Sequence, residues 1–216
     1  MLVHERQHWS RGVRRLAGMD EAGRGPLAGP VVAAAVVFPP GFLELEINGT
    51  LHGLTDSKRL TPRARDHYFS ILLHVPGLQY GIGQASPAEI DTLNILQATF
   101  LAMRRALMAL PELPDHVLVD GLPVDGLPCD STSIVHGDSL SLCIAAASVL
   151  AKVTRDNLML QMDRQYPGYG FARHKGYGSR SHMLALLESG PTPIHRWSFR
   201  PVREAADIRA RKERGE

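Results

Sequence analysis

Apolar and polar positions alternate along this chain in short strand-like and longer helix-like stretches. Residues 13–19 and 31–38 read as two strands. The second is apolar nearly throughout, as a strand buried on both faces should be. A loop with Gly23 and Gly25 joins them, and Pro39-Pro40-Gly41 ends the second. Thr61-Pro62 opens a helix, with Thr as cap and Pro at the first helical position. Gln79–Ala85 reads as another strand. Ser86-Pro87-Ala88-Glu89 then spells a capping box ahead of a helix with Ile90, Leu93, Leu96, Phe100, Met103 and Leu107 at helical spacing. Pro111 and Pro114 mark its exit. His116-Val117-Leu118-Val119-Asp120-Gly121 is a short apolar strand closed by a carboxylate and a glycine, and residues 133–135 read as a further strand. A long helix over 139–165 follows, with Ile144-Ala145-Ala146-Ala147-Ser148 small enough for close packing on a sheet. Tyr166 to Phe171 is a turn-rich connector, and basic and aromatic residues interleave over 174–178. Ser179 caps a helix ending at Ser189, and 202–214 reads as a charged terminal helix. Strands interleaved with helices place the chain in the α/β class.

With 216 residues, 44% of them hydrophobic, the chain is long enough for one domain with a sizeable core. The net charge of +2 permits nucleic-acid binding without demanding it, although both ends and the 152–180 region are rich in Arg and Lys. Cys129 and Cys143 have neither zinc spacing nor a disulfide framework, which favours reduced thiols in a cytoplasmic protein. No signal peptide is visible, and the longest apolar run, 30–38, is far short of the roughly 20 residues a membrane span needs. His4-Glu5-Arg6-Gln7-His8 matches H-E-x-x-H but lacks the apolar periodicity of a buried zinc helix, so residues 1–12 read as a frayed tail.

The chemistry concentrates on carboxylates. Asp20 and Glu21 close the first strand and should point to opposite faces, unless the bend at Gly23 and Gly25 swings Glu21 back. Bare amides and the Arg24 guanidinium beside them suit a substrate with phosphates and hydroxyls; a surface turn with solvated charges fits the same residues. Asp120 also ends a strand, and Asp138 opens the long helix, where an ordinary N-cap competes for it. Two carboxylates about 4 Å apart repel by roughly 4 kcal/mol at an effective dielectric near 20. Divalent cations remove that repulsion, and all-oxygen ligands suit Mg²⁺ or Mn²⁺. Convergence of the four would therefore point to metal-dependent phosphodiester hydrolysis. The chain has no G-x-G-x-x-G after its first strand and no G-K-[ST], which argues against a nucleotide-binding fold.

From Gly18 to Pro201 the chain resembles ribonuclease HII, the bacterial type 2 ribonuclease H. The resemblance is carried by Met19-Asp20-Glu21-Ala22-Gly23-Arg24-Gly25-Pro26-Leu27-Ala28-Gly29-Pro30, Asp56-Ser57-Lys58, Val117-Leu118-Val119-Asp120-Gly121, and Gly137-Asp138. It continues through Ile144 to Asp156, Tyr166 to Phe171, His174-Lys175-Gly176-Tyr177-Gly178 and Pro193-Ile194-His195-Arg196. It implies an RNase H-like fold, a central mixed sheet flanked by helices with a small helical C-terminal part. The implied boundaries are a tail over 1–12, a catalytic domain over 13–201 and a charged tail or helix over 202–216. It implies cleavage 5′ of ribonucleotides, in RNA–DNA hybrids and at single ribonucleotides in duplex DNA, leaving 3′-hydroxyl and 5′-phosphate ends. Such an activity serves ribonucleotide excision repair.

The same resemblance makes Asp20, Glu21, Asp120 and Asp138 the metal-binding, catalytic carboxylates and assigns 2′-hydroxyl reading to Gly23, Arg24 and Gly25. It assigns Tyr177 to the neighbouring deoxyribose and Ser57 and Lys58 to the nucleic-acid backbone, and it suggests a monomer. Lys152, Arg155, Lys175 and Arg180 are further candidates for phosphate contact, or simply a solvated basic face. Two positions depart from the family: His136 and Trp197 stand where basic residues are common. Another carboxylate-metal nuclease of the same superfold, or a hybrid-binding protein without catalysis, are the competing readings.

Overall fold

The computed structural model describes residues 1–214. In chain order it forms α1 (Val3–Trp9), β1 (Leu16–Ala22), β2 (Val31–Val37), α2 (Phe42–Glu46), α3 (Pro62–His74), β3 (Gln79–Ala85), α4 (Pro87–Leu93) and α5 (Ile95–Met108). β4 (His116–Asp120), β5 (Asp130–Ile134), a 3₁₀ turn (Gly137–Ser139), α6 (Leu142–Gln165), α7 (Phe171–His174), α8 (Arg180–Ser189) and α9 (Arg200–Arg214) complete it. The strands make one mixed sheet in the order β3-β2-β1-β4-β5. β1 runs antiparallel to β2, with Asp20 opposite Ala34, and parallel to β4, with Met19 opposite Val119. β4 and β5 are parallel, with Asp120 opposite Ile134. The RNase H-like arrangement expected from the sequence, a mixed sheet with flanking helices, is thus present.

The chain divides into two compact units. The first comprises Met1–Ala22, Val32–Gln84 and Phe100–Val153; the second comprises Gly23–Val31, Ala85–Thr99 and the chain from Thr154 onward. In the first, Val36, Phe38, Leu43, Leu54 and Leu72 pack with Ala146, Val149 and Leu150 of α6. The small residues of α6 let it lie directly on the sheet. A Cβ on Gly18 of β1 would stand 2.1 Å from the carbonyl carbon of Cys143, and one on Gly83 of β3 would stand 2.1 Å from the Ala102 carbonyl oxygen of α5. Backbone meets backbone at both contacts. In the second unit, Met159, Tyr169, Phe171 and Ala185 form one core, and Leu27, Leu186, Val202 and Ala205 form another.

Several elements differ from their sequence reading. The first residues are not frayed: α1 is a helix with Leu2, Glu5 and His8 buried. Its Glu5 carboxylate accepts from the Ser141 hydroxyl (2.6 Å) and the Cys143 amide (3.2 Å), satisfying donors at the start of α6. Glu5 of the H-E-x-x-H match is therefore committed to structure. The helix expected over 87–107 breaks at Asn94, which takes φ 71° and accepts from the amides of Leu96 and Gln97, so α5 gets its own cap. Leu93 and Leu96, at the break, are exposed, while Ile90, Phe100, Met103 and Leu107 are buried as their spacing requires. The fifth strand begins three residues earlier than expected, at Asp130. The long helix begins at Leu142, after the separate 3₁₀ turn that carries Asp138.

Candidate active site

Three strands and a turn bring the acidic residues together. Asp20 lies inside β1, not at its end, because the strand continues through Glu21 to Ala22 in register with β2. Asp120 is the last residue of the adjacent β4. Asp138 follows β5 on the 3₁₀ turn. One carboxylate oxygen from each of the three lies within 4.8 Å of the others. Glu21, next along β1, is partly exposed and falls outside this group. Asp138 is not an N-cap: Ser141 fills that place for α6, accepting from the Ile144 amide at 3.2 Å. The Asp138 amide instead donates to Asp120 Oδ1 at 3.4 Å. Gly137 permits this closeness, since a Cβ there would strike Ile144 and press within 3.4 Å of Asp120 Oδ1.

The electrostatics are those of a site short of positive charge. Burial first, then the charges of Glu21 and Asp120, push the Asp20 carboxyl well above its usual range. The Ser148 hydroxyl and the Glu21 amide, the latter 2.6 Å from Asp20 Oδ1, pull it the other way. Burial, the Asp120 charge, the Asp56 charge and a side-chain hydrogen bond with Asp56 push Asp138 up to about 6; the nearby Lys58 ammonium opposes the shift. Burial lowers Lys58, yet the fields of Asp20, Asp56, Asp138 and Asp120 outweigh it and hold this ammonium above the usual lysine value. Asp56 is thus a further acidic neighbour, one to which the sequence alone assigned no role. Ser57 is buried, and its hydroxyl lies 2.8 Å from that of Ser148 on α6. Three carboxylates with oxygens this close, two of them buried and raised in proton affinity, suit a divalent cation, whose charge and oxygen preference remove both penalties.

The glycine loop belongs to the second unit and is built on two buried guanidiniums. Arg155, expected as a solvated or phosphate-binding cation, is 1% exposed. It donates to the carbonyls of Pro30 (3.0 Å), Lys175 (3.1 Å) and Ala28 (3.1 Å). Arg196 is 0% exposed and donates to the carbonyls of Gly29 (3.0 and 2.8 Å), Arg24 (2.8 Å) and Gly23 (2.6 Å). Burial and the neighbouring Arg155 charge lower Arg196 to about 9, still cationic at neutral pH. Gly23 takes φ 97°, and a Cβ there would stand 2.0 Å from Arg155 Nε, so both its backbone shape and the guanidinium require glycine. Arg24 and Gly25 are exposed at the surface of this loop. The Tyr177 ring is half exposed, and its Cε1 would lie 3.6 Å from a Cβ on Gly25. Lys152 and Lys175 are partly buried and Arg180 is exposed. His136 is exposed with φ 57°, and the Trp197 amide donates to Asp91 on α4.

Comparison with known proteins converges on one family. Residues 17–202 match the family model described as Ribonuclease HII. The chain is 56% identical over 194 residues to ribonuclease HII of Geobacter sulfurreducens, covering 90% of this chain and 86% of that one. It is 54% identical over 203 residues to ribonuclease HII of Syntrophotalea carbinolica, covering 94% and 93%. Among solved structures, ribonuclease H2 from Pyrococcus horikoshii OT3 superposes with TM-score 0.76 at 28% identity, covering 91% of this chain and 99% of that one. The chain belongs to the ribonuclease HII family.

Proposed function

We propose that this ribonuclease H cuts the phosphodiester 5′ of a ribonucleotide, in RNA–DNA hybrids and at single ribonucleotides within duplex DNA. The observation that carries the reading is the convergence of Asp20, Asp120 and Asp138 within 4.8 Å, joined here to the family match. In this reading Asp20, Asp120 and Asp138 hold Mg²⁺ or Mn²⁺, with Glu21 joining them from β1. The bound metal would activate a water and stabilise the leaving oxygen, giving 5′-phosphate and 3′-hydroxyl ends.

The chain's own groups do the rest. Ser148 and Ser57 orient the Asp20 carboxylate from α6 and the 56–58 loop. Since the Ser57 hydroxyl is turned inward, Lys58 carries the contact to the nucleic-acid backbone. Gly23, Arg24 and Gly25 approach the 2′-hydroxyl, the group that separates RNA from DNA. The carbonyls of Gly23 and Arg24 are already engaged by Arg196, which fixes how the loop meets its ligand. The Tyr177 ring packs on the flat face of the neighbouring deoxyribose, a place that a second 2′-hydroxyl would crowd. This favours RNA-to-DNA junctions. We further read the protein as a cytoplasmic monomer; among the described residues no helix is long and apolar enough to cross a membrane.

The test uses a duplex with one ribonucleotide, labelled at the 5′ end of that strand, beside an all-DNA control. One metal-dependent cut just 5′ of the ribonucleotide, lost in Asp20→Asn, is the expected result. Tight binding of the duplex with no cut in either metal would refute the catalytic reading.

A further inference from the structure

Three imidazoles gather behind Tyr177 in the second unit, and their hydrogen bonds have a fixed direction. The Thr192 amide donates to His195 Nδ1 at 2.9 Å. That nitrogen therefore carries no proton, and the neutral ring holds its proton on Nε2, which lies 3.0 Å from His182 Nε2. His182 must accept there, so its own proton is on Nδ1, 2.9 Å from the Tyr177 carbonyl oxygen. The same carbonyl accepts from the Ser179 amide at 2.8 Å, while the Tyr177 amide donates to the His174 carbonyl at 2.9 Å.

Packing holds the rings in this arrangement. His182 and His195 are both 0% exposed. His182 stacks on His174 with centroids 4.5 Å apart and meets Phe171 edge-on at 5.4 Å. His174 Nδ1 accepts from the Gly176 amide at 3.2 Å, and its Nε2 lies 2.8 Å from the Tyr169 carbonyl oxygen. A second proton on either His182 or His195 would set two N–H groups face to face. Burial before all else lowers both to about 4, so the chain of bonds is intact at neutral pH.

We propose that His182, braced by His195 and Thr192, is a positioning residue that sets where the Tyr177 ring stands over Gly25, and thereby sets the preference for RNA-to-DNA junctions. This rests on the reading of Tyr177 given above. A buried, fully paired polar chain holds direction in a way that apolar contact does not. It ends on the main chain of the one aromatic residue that this reading places against the sugar next to the cut.

The experiment measures cleavage of a junction-containing strand and of an all-RNA strand, each paired with DNA, and takes the ratio of kcat/KM. Loss of folded protein lowers both rates alike and leaves the ratio unchanged. Tyr177→Ala sets the scale. His182→Leu should lower the ratio about fivefold, the factor that one hydrogen bond of ordinary strength corresponds to. His182→Asn keeps a donor near the Nδ1 position and should stay within about twofold of the parent. In the Tyr177→Ala background, His182→Leu should change the ratio no further, since the two act through one ring.

If Tyr177→Ala shifts the ratio and His182→Leu does not, the inference falls and the reading of Tyr177 stands. If Tyr177→Ala leaves the ratio unchanged, both fall. Should His182→Leu fail to fold, nitrogen-15 spectra of histidine-labelled parent protein give an independent result. His182 is expected as the neutral Nδ1–H tautomer and His195 as the neutral Nε2–H tautomer. A proton found on His182 Nε2 would overturn the proposal.

Discussion

Replacing Asp138 by asparagine should make the metal-free protein more stable while weakening its response to Mg²⁺. Burial and the charges of Asp120 and Asp56 raise Asp138 from 3.8 to about 6. A shift of that size corresponds to about 3 kcal/mol against the ionised form. Asp120 beside it is only partly buried, so water screens the interaction, and about 1–2 kcal/mol is the better figure. The folded value lies above the unfolded one, so the penalty is absent below about pH 4, grows as pH rises through about 6, and is complete above that. The variant carries no such charge. At neutral pH in chelator its melting temperature should exceed the parent's by about 2–8 °C, and the difference should fade near pH 4. Saturating Mg²⁺ should reverse the order, because binding to the parent's folded state adds stability by mass action. Thermal denaturation at both pH values, with and without metal, reads all of this. A variant no more stable than the parent at neutral pH without metal would refute the account of the site as a strained carboxylate cluster.

Three further outcomes follow from the geometry. Gly18→Ala drives a Cβ into the Cys143 backbone, and should cost at least about 3 kcal/mol in urea denaturation; a midpoint near the parent's would contradict the strand-on-helix contact. Arg196→Met strips four hydrogen bonds from the carbonyls of Gly23, Arg24 and Gly29, and should cost roughly 3–5 kcal/mol while raising KM for a ribonucleotide-containing duplex. His182 and His195 titrate at about 4 in the fold, below the usual histidine value of 6.5. Their contribution is therefore complete above about pH 6.5 and lost as pH falls toward 4, at most about 3 kcal/mol for each ring; a urea midpoint flat across that range would exclude a buried neutral pair.

The parts of the fold that local chemistry dictates were legible in the sequence. Gln79–Ala85 forms the expected strand, and Ser86 and Glu89 form both halves of their capping box. Thr61 caps α3 and Ser179 caps α8, each through its own side chain. What stayed hidden depends on partners far along the chain. α1 has too few apolar positions to announce a buried helix; Glu5 is held by Ser141 and Cys143, more than a hundred residues away. Asn94 looks like any polar helical residue until its backbone turns left-handed. Among the site residues, the acidic positions could be named from their strand ends and motif, and three of them converge. Arg155 and Arg196 could not be told from surface cations, because one arginine in sequence gives no sign that main-chain carbonyls surround it. Asp56 stands in the Asp56-Ser57-Lys58 motif, and an acidic residue inside that motif was the only sign in the sequence of its place beside Asp138.

The two guanidiniums beneath the glycine loop also bear on how fast the enzyme meets its substrate. A peptide plane whose oxygen is gripped by a buried cation cannot flip without breaking that grip, and five successive or nearby planes from Gly23 to Pro30 are so gripped. The conformational entropy of the loop is surrendered during folding, and not when a duplex arrives. Capture of a ribonucleotide at this loop should therefore proceed at the pace of encounter, with no slow rearrangement preceding it.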